Sequence, residues 1–222
     1  MSYQDFMSSV HKSTKRDYLA RVNDKDYPKP YAASLAKKWA FDYWDGSRKI
    51  NYGGYKYDGR WANVAAQMVQ HYGIKAGDKI LDIGCGKGFL LYDFTQVCPG
   101  VEVIGLDISE YAIQNSLPEI KDSLKLGNAN NLPFNNDEFD LVVSLTTLHN
   151  LHAPDLYRAL REMERVGKQH KYLCVESYRN EQEKANLLYW QVTCEAFNTP
   201  DEWDWWFELT GYNGDHSFIF FE

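Results

Sequence analysis

Gly84, Gly86 and Gly88 stand at alternate positions in LDIGCGKG, directly after an apolar run, with Asp82 two residues ahead of the first. Glycines let backbone touch a ligand where any Cβ would collide with it. In an open parallel sheet, the turn between the first strand and its helix faces the ligand crevice. The spacing then discriminates among ligands. A phosphate-binding P-loop needs G-x-x-x-x-G-K-[ST], whereas Gly84 and Gly86 are too close together and Lys87 is followed by Gly88. A dinucleotide fingerprint needs a third glycine where Phe89 stands. Asp82 also opposes a pyrophosphate, because its carboxylate would repel the phosphate oxygens that helix amides attract.

Two further stretches belong with the loop. Asp107 closes the next apolar run, GLDIS, at about the 20-residue offset from the glycines where a carboxylate accepts both ribose hydroxyls. GNANNLPF follows at 127 to 134, where the Asn128 amide and the Ala129 backbone suit an adenine edge. A ligand with a cationic amine, a ribose and an adenine but no phosphate uses all of these features, and S-adenosylmethionine is that ligand. Blander roles stay open: the glycines as a tight turn, Asp107 as a helix cap beside Ser109, and Asn128 as a turn former.

These residues need a scaffold of strands and helices. KILDI, VEVIGLDI, LKLGNA, FDLVVSLTTL and HKYLCVESY alternate with amphipathic stretches, which predicts an α/β fold, a Rossmann-like open and mostly parallel sheet with helices on both faces. Asp58 is expected to cap a helix whose stripe is Trp61, Val64, Ala65, Met68, Val69 and Tyr72, with Gly73 as its stop. Ser109 suits a cap, Pro154 a first helical turn and Gly167 a stop. A long helix is expected from Glu181 to about Phe197, a short one in PDEWDWWFELTGY, and a final edge strand in HSFIFFE. Ahead of the sheet, Ser13 is expected to cap a helix to Val22, and Pro30 to open one through PYAASLAKKWAFDYW. The chain thus divides into an N-terminal helical and aromatic lid, residues 1–60, and a core, residues 61–222.

LDIGCGKG, GLDIS, GNANNLPF and FDLVVSLTTLHNL, in this order and at these separations, resemble the class I S-adenosylmethionine-dependent methyltransferases, over roughly residues 58 to 178. The resemblance implies that Asp82, Gly84, Cys85, Gly86 and Gly88 hold the methionine part, Asp107 the ribose, and Asn128, Ala129 and Asn130 the adenine. Ile108 and Ser144 are counted with this cofactor set. Many members have Asp where this chain has Asn128, whose amide oxygen still accepts a hydrogen bond. The segment before the first strand often closes over the cofactor in this family, so Arg60 is expected to pair with the methionine carboxylate and Tyr52, Tyr55 or Tyr57 to pack near the sulfonium. An aromatic-packed linker is the other reading of NYGGYKYDGRW.

His149 sits where such enzymes place groups near the transferred methyl, and is the expected general base, with a loop-holding hydrogen bond as the alternative. His152 shares the ambiguity. The acceptor is expected to be a small molecule, most simply a hydroxylated, sugar-like metabolite. The lid with NYGGYKYDGRW looks similar to small methyltransferases of modified-carbohydrate biosynthesis, with a small amine as the alternative. A non-catalytic cofactor-binding scaffold, or an oxidoreductase with a variant dinucleotide loop, are further readings. Net charge is -7 and the pI about 5.4, which argues against nucleic acid and anionic membranes as partners. SLTT stands where base-amino methyltransferases carry an Asn/Asp-Pro-Pro-Tyr segment. Cys85, Cys98, Cys174 and Cys194 form no C-x-x-C pair, so neither zinc nor a disulfide framework is expected, and no metal site is expected. No signal-like or membrane-length apolar run is found, and a cytoplasmic location is expected. A homodimer is left open.

Overall fold

The computed structural model describes residues 1–11, 16–53 and 55–222. Six strands form one sheet: β1 (Lys79–Ile83), β2 (Glu102–Asp107), β3 (Leu124–Leu126), β4 (Phe139–Leu145), β5 (Gly167–Glu176) and β6 (Asp215–Ile219). Their order is β3-β2-β1-β4-β5-β6 and every pairing is parallel. The direction of winding reverses between β1 and β4. In such a sheet the crevice beyond the carboxyl ends of those strands is where a ligand is held.

Both faces are covered, which explains the nearly continuous apolar strands. Side chains alternate across the sheet. Ile80, Leu141 and Val143 join one core, under α5 (Ala62–Tyr72) and α6 (Phe89–Val97). Leu81, Ile83 and Val142 join the other, under α8 (Ala153–Val166) and α10 (Pro200–Thr210). α7 (Glu110–Gln114) starts at Ser109, whose hydroxyl accepts the Ala112 N–H at 3.0 Å, as the sequence suggests. Pro154 lies in the first turn of α8, and Gly73 ends α5 with a φ of 65°. The Val64, Ala65, Met68 and Tyr72 stripe is buried. Thr199 and Glu202 form a reciprocal capping box on α10. Within that helix Trp203 is fully buried while Trp205 faces outward.

The first residues extend the sheet. Tyr3 bridges in parallel to His216, with Gln4 donating to the His216 carbonyl at 2.9 Å and His216 donating to Ser2 at 3.0 Å. This segment covers the outer edge of β6, an edge that would otherwise offer free backbone groups to another chain. α1 (Ser8–His11) and α2 (Tyr18–Val22) follow. Asp17 caps α2; the expected cap, Ser13, lies outside the described residues, as does Gly54 of the glycine-tyrosine segment.

Three helix expectations are corrected. PYAASLAKKWAFDYW is two helices, α3 (Lys29–Ala36) and α4 (Phe41–Trp44), because Trp39 takes a left-handed φ of 52° that a helix does not allow. α5 begins at Ala62 without a side-chain cap; Asp58 instead accepts from the Arg60 backbone and guanidinium. α9 (Glu181–Trp190) stops seven residues short of Phe197. There Gln191 becomes extended, and the N–H groups of Val192 and Thr193 both donate to the Tyr52 hydroxyl, at 2.8 and 3.2 Å. The cover, not local propensity, ends the helix.

Candidate active site

A cavity of about 350 Å³ runs along the carboxyl ends of β2, β1, β4 and β5, roofed by residues of α3–α4 and of the segment 52–61. At one end lie the glycine loop and two buried acids. Asp107, 7% exposed, accepts N–H groups from Gly86 and Ser109, each at 2.7 Å. Asp82 is 4% exposed. Burial first, and then the neighbouring Asp107, push its carboxyl up to about 8; Asp107 is raised too, by burial, against the pull of its backbone donors. No salt bridge reaches either acid among the described residues. Two desolvated carboxyls with no cation beside them among the described residues form a site whose natural complement is a positively charged ligand. The cationic amine and sulfonium of S-adenosylmethionine meet that demand, and a phosphate does not.

The lid is fastened over this end. Gly86 has a φ of 56°, and a Cβ there would lie 2.6 Å from the Trp44 ring. That ring also donates its indole N–H to Ser109 Oγ at 2.8 Å. Gly84 is similarly filled, since a Cβ would lie 2.2 Å from Thr147 Oγ1. Lys87, 7% exposed, holds both oxygens of Asp45 at 2.8 Å, and Tyr111 donates to the same carboxylate at 2.9 Å. The glycine loop is thereby joined to the residue just after α4. Tyr43, Trp44, Tyr52 and Tyr55 pack ring to ring above the cavity.

The other end is built from β4, β5 and the segment after α9. His149 is 2% exposed. Its Nδ1 accepts the Glu176 backbone N–H at 3.2 Å, so the proton of the neutral ring sits on Nε2. Burial lowers its pKa to about 3, and the ring stays neutral. Its one lone pair is committed to the backbone, which favours the loop-holding role over the general base. Glu176 ends β5 and is 6% exposed. Oε1 accepts from Gln191 Nε2, and Gln191 Oε1 accepts from the Tyr52 hydroxyl. Glu176 Oε2 has no hydrogen-bond partner; His149 Nε2 lies 3.5 Å from it without a hydrogen bond. Burial pushes the carboxyl up to about 8, against the charge of Arg16 and the Gln191 bond.

The cavity wall gathers Arg60, Asp82, Gly84, Cys85, Gly86, Asp107, Ile108, Asn128, Ala129 and His149 from the expected set. Four expected residues lie elsewhere. Tyr57 donates to Asp93 at 2.6 Å and packs on Phe89 and Tyr92. Gly88 starts α6, where a Cβ would strike Ile120. The Ser144 hydroxyl is spent on the Ile83 carbonyl at 2.9 Å, within the sheet. Asn130 donates to Asp155 at 2.7 Å. Arg60 reaches the wall but is held bidentately by Asp58. Asn128 makes a turn with the Asn130 N–H at 3.1 Å. The Cys85 thiol is pushed well up by burial and by Asp107, so it is neutral.

Glu176, Gln191, Trp44 and the Lys87–Asp45 pair were not legible as site residues. For Glu176 a signal existed: like Asp107, it is an acid that terminates an apolar run at the carboxyl end of a parallel strand. The other three act through contacts between distant segments.

Comparison with known proteins agrees with this geometry. Residues 74–211 match the family described as a methyltransferase domain. The demethylmenaquinone methyltransferase of Symbiobacterium thermophilum is 35% identical over 128 residues, covering 54% of this chain and 50% of that protein. A mouse protein named mitochondrial arginine-hydroxylase NDUFAF5 is 39% identical over 89 residues, covering 40% of this chain and 25% of that one. The chain therefore spans about half or less of the length of these relatives. The YcgJ protein of Bacillus subtilis shares the fold, with a TM-score of 0.55 at 24% identity over 66% of each chain. The family match covers most of the sheet and the cofactor end of the cavity, and the chain belongs to the class I S-adenosylmethionine-dependent methyltransferases.

Proposed function

We propose that the chain transfers a methyl group from S-adenosylmethionine to an oxygen of a small hydroxylated molecule by in-line displacement. The observation that carries this reading is one cavity with two unlike ends. Among the described residues, one end holds a paired-acid site without a cation, and the other is lined by Glu176, one of whose carboxyl oxygens is buried without a hydrogen-bond partner. When bound, the cofactor supplies an electrophilic methyl on a sulfonium. Asp82 would face its positive charge, Asp107 would accept from the ribose hydroxyls, and Asn128 with the Ala129 backbone would meet the adenine. Trp44, Tyr43 and Tyr55 cover the site and exclude water. Such alignment in a dry cavity is the main contribution the protein makes to a displacement on an activated donor.

Net charge and the aromatic lining of the acceptor end both support a small acceptor in place of a nucleic acid. A second reading, methylation of a small amine, draws on the carboxylate set among aromatic faces at the same end. A scaffold that binds the cofactor without turnover is separated by one assay. Calorimetric titration with S-adenosylmethionine and with NAD, followed by an assay for S-adenosylhomocysteine release against a panel of small acceptors, tests the reading. Cofactor binding with turnover on a hydroxylated acceptor is expected. Binding of NAD alone would overturn it, and stoichiometric cofactor binding with no turnover on any acceptor would favour the scaffold.

A further inference from the structure

We infer that Glu176 takes the proton from the acceptor's hydroxyl, and that the carboxyl ends of β4 and β5, with residues 190–193, form the subsite holding that acceptor. This rests on the methyl-transfer reading above, and concerns the end of the cavity remote from the glycine loop.

Three observations carry it. First, Glu176 is anchored but not satisfied. Oε1 takes the Gln191 amide, the backbone carbonyl takes the Trp203 indole N–H at 3.0 Å, and Oε2, buried within a residue that lines the cavity, is left without a hydrogen bond among the described residues. A buried, unmet acceptor costs free energy unless something fills it. Second, the competing base is disarmed, because the only lone pair of neutral His149 is used on the Glu176 N–H. Third, the wall is held in place by packing. Tyr52 and Trp190 contact each other with ring centroids 6.2 Å apart, Arg21 lies over both rings, and the Tyr52 hydroxyl fixes Gln191, which in turn fixes Glu176.

The same end selects a neutral acceptor. The Arg16 guanidinium lines this part of the wall and acts on Glu176 as a favourable charge. An ammonium would meet a cation there, while a hydroxyl meets a carboxylate. In the step, Glu176 Oε2 takes the hydroxyl proton as that oxygen bonds the methyl carbon. The electron pair of the breaking carbon–sulfur bond stays on sulfur, leaving neutral S-adenosylhomocysteine and protonated Glu176. A base with a pKa close to ambient pH is well matched to this task, and burial holds Glu176 near 8. The groups facing it are Arg16, His149, Tyr52, Cys174 and Cys194. Burial keeps His149 neutral, and raises Tyr52 and both thiols so that they are neutral too.

The test uses the full chain with S-adenosylhomocysteine and three hydroxylated probes, methyl β-D-glucoside, myo-inositol and catechol, against putrescine as the amine. Saturation-transfer NMR reads binding, and release of S-adenosylhomocysteine from S-adenosylmethionine reads turnover. At least one hydroxylated probe is expected to bind and putrescine not to bind. Glu176→Gln is expected to bind the cofactor as the wild type does, to lose roughly 10² to 10⁴ in turnover, and to lose the rise in rate with pH that the wild type shows toward about 8. Glu176→Asp keeps that rise at a lower rate. Gln191→Ala, which removes a hydrogen bond favouring the charged carboxylate, moves the rise to higher pH and so serves even where Glu176→Gln does not fold. Binding of putrescine alone, no binding of any hydroxylated probe, wild-type turnover in Glu176→Gln, or an unmoved profile in Gln191→Ala would each overturn the subsite while leaving cofactor binding intact. Failure of the wild type to bind S-adenosylmethionine would instead overturn the methyl-transfer reading beneath it.

Discussion

Asp107 and Glu176 end two parallel strands of one sheet, are buried to the same degree and line the same cavity, yet their surroundings differ. Asp107 is met by two backbone N–H groups at 2.7 Å, both from loops that follow strands. Glu176 has one oxygen met by a side-chain amide and the other by nothing. Backbone donors hold the Asp107 carboxyl still and favour its charged form against burial, ready to accept from a ligand that arrives in one pose. A half-met carboxyl pushed up to about 8 is poised to exchange a proton. The same residue chemistry thus serves fixed recognition at one end of the cavity and proton transfer at the other.

Removing the proton acceptor is the sharpest way to break this contrast: Glu176→Gln is expected to cost turnover by the two to four orders of magnitude given above while sparing cofactor affinity, in steady-state kinetics paired with calorimetry. Asp107→Ala should do the reverse. Its loss removes charge-assisted hydrogen bonds worth roughly 1.5–3 kcal/mol, or about 10- to 150-fold in S-adenosylmethionine affinity; calorimetry showing wild-type affinity would remove Asp107 from the ribose site. His149→Ala is expected to lower turnover less than Glu176→Gln and to keep the pH rise, since its ring supports the backbone of Glu176 without taking the proton. Loss of that rise would restore His149 as the base.

The contrast also has a stability signature. Asp82 and Glu176 both titrate near 8 when folded, above their ordinary values of 3.8 and 4.5. The folded chain therefore binds more protons than the unfolded one across that interval, and stability is lost as pH rises toward 8. His149, lowered to about 3 from 6.5, works in the opposite sense, but only below 6.5. Thermal melts of the protein without cofactor should show Tm falling between pH 6.5 and 8, and falling less in Glu176→Gln. A flat profile in the wild type would show that neither carboxyl is raised. The smallest effect is expected at the lid. Asp45→Asn leaves the buried Lys87 ammonium without its carboxylate and should speed cofactor dissociation severalfold in stopped-flow measurements, with some loss of Tm tempered by the partial exposure of the pair on the Asp45 side.

The glycine loop, Asp107 and the alternating strands were legible because each depends on short-range chemistry. A loop needing positive φ calls for glycine, an apolar run between amphipathic segments calls for a covered parallel strand, and the offset between them is the length of one helix and one strand. Asp82, Asp107 and the 127–129 turn accordingly lie together. Ser144 and Gly88 were drawn into the set by adjacency to motifs, and their side-chain positions serve the sheet and the helix packing instead. His149 was legible as a residue at the site but not in its role, because a tautomer is chosen by the group across from it, here a backbone N–H at the end of β5.

By itself, then, the order of residues determined the strands of a covered parallel sheet, the glycine loop and the carboxylate that ends β2, since these follow from periodicity and turn chemistry within some thirty residues of chain; the strand order and its switch point came with the tertiary structure. The acceptor end was decided only by tertiary structure. The Tyr52 hydroxyl reaches residues near position 192, ends α9 there, fixes Gln191 and through it Glu176. Those contacts join segments about 140 residues apart. The free oxygen of Glu176 exists because packing brought one amide to the carboxyl and not two, a balance of burial and hydrogen bonding that no local pattern encodes.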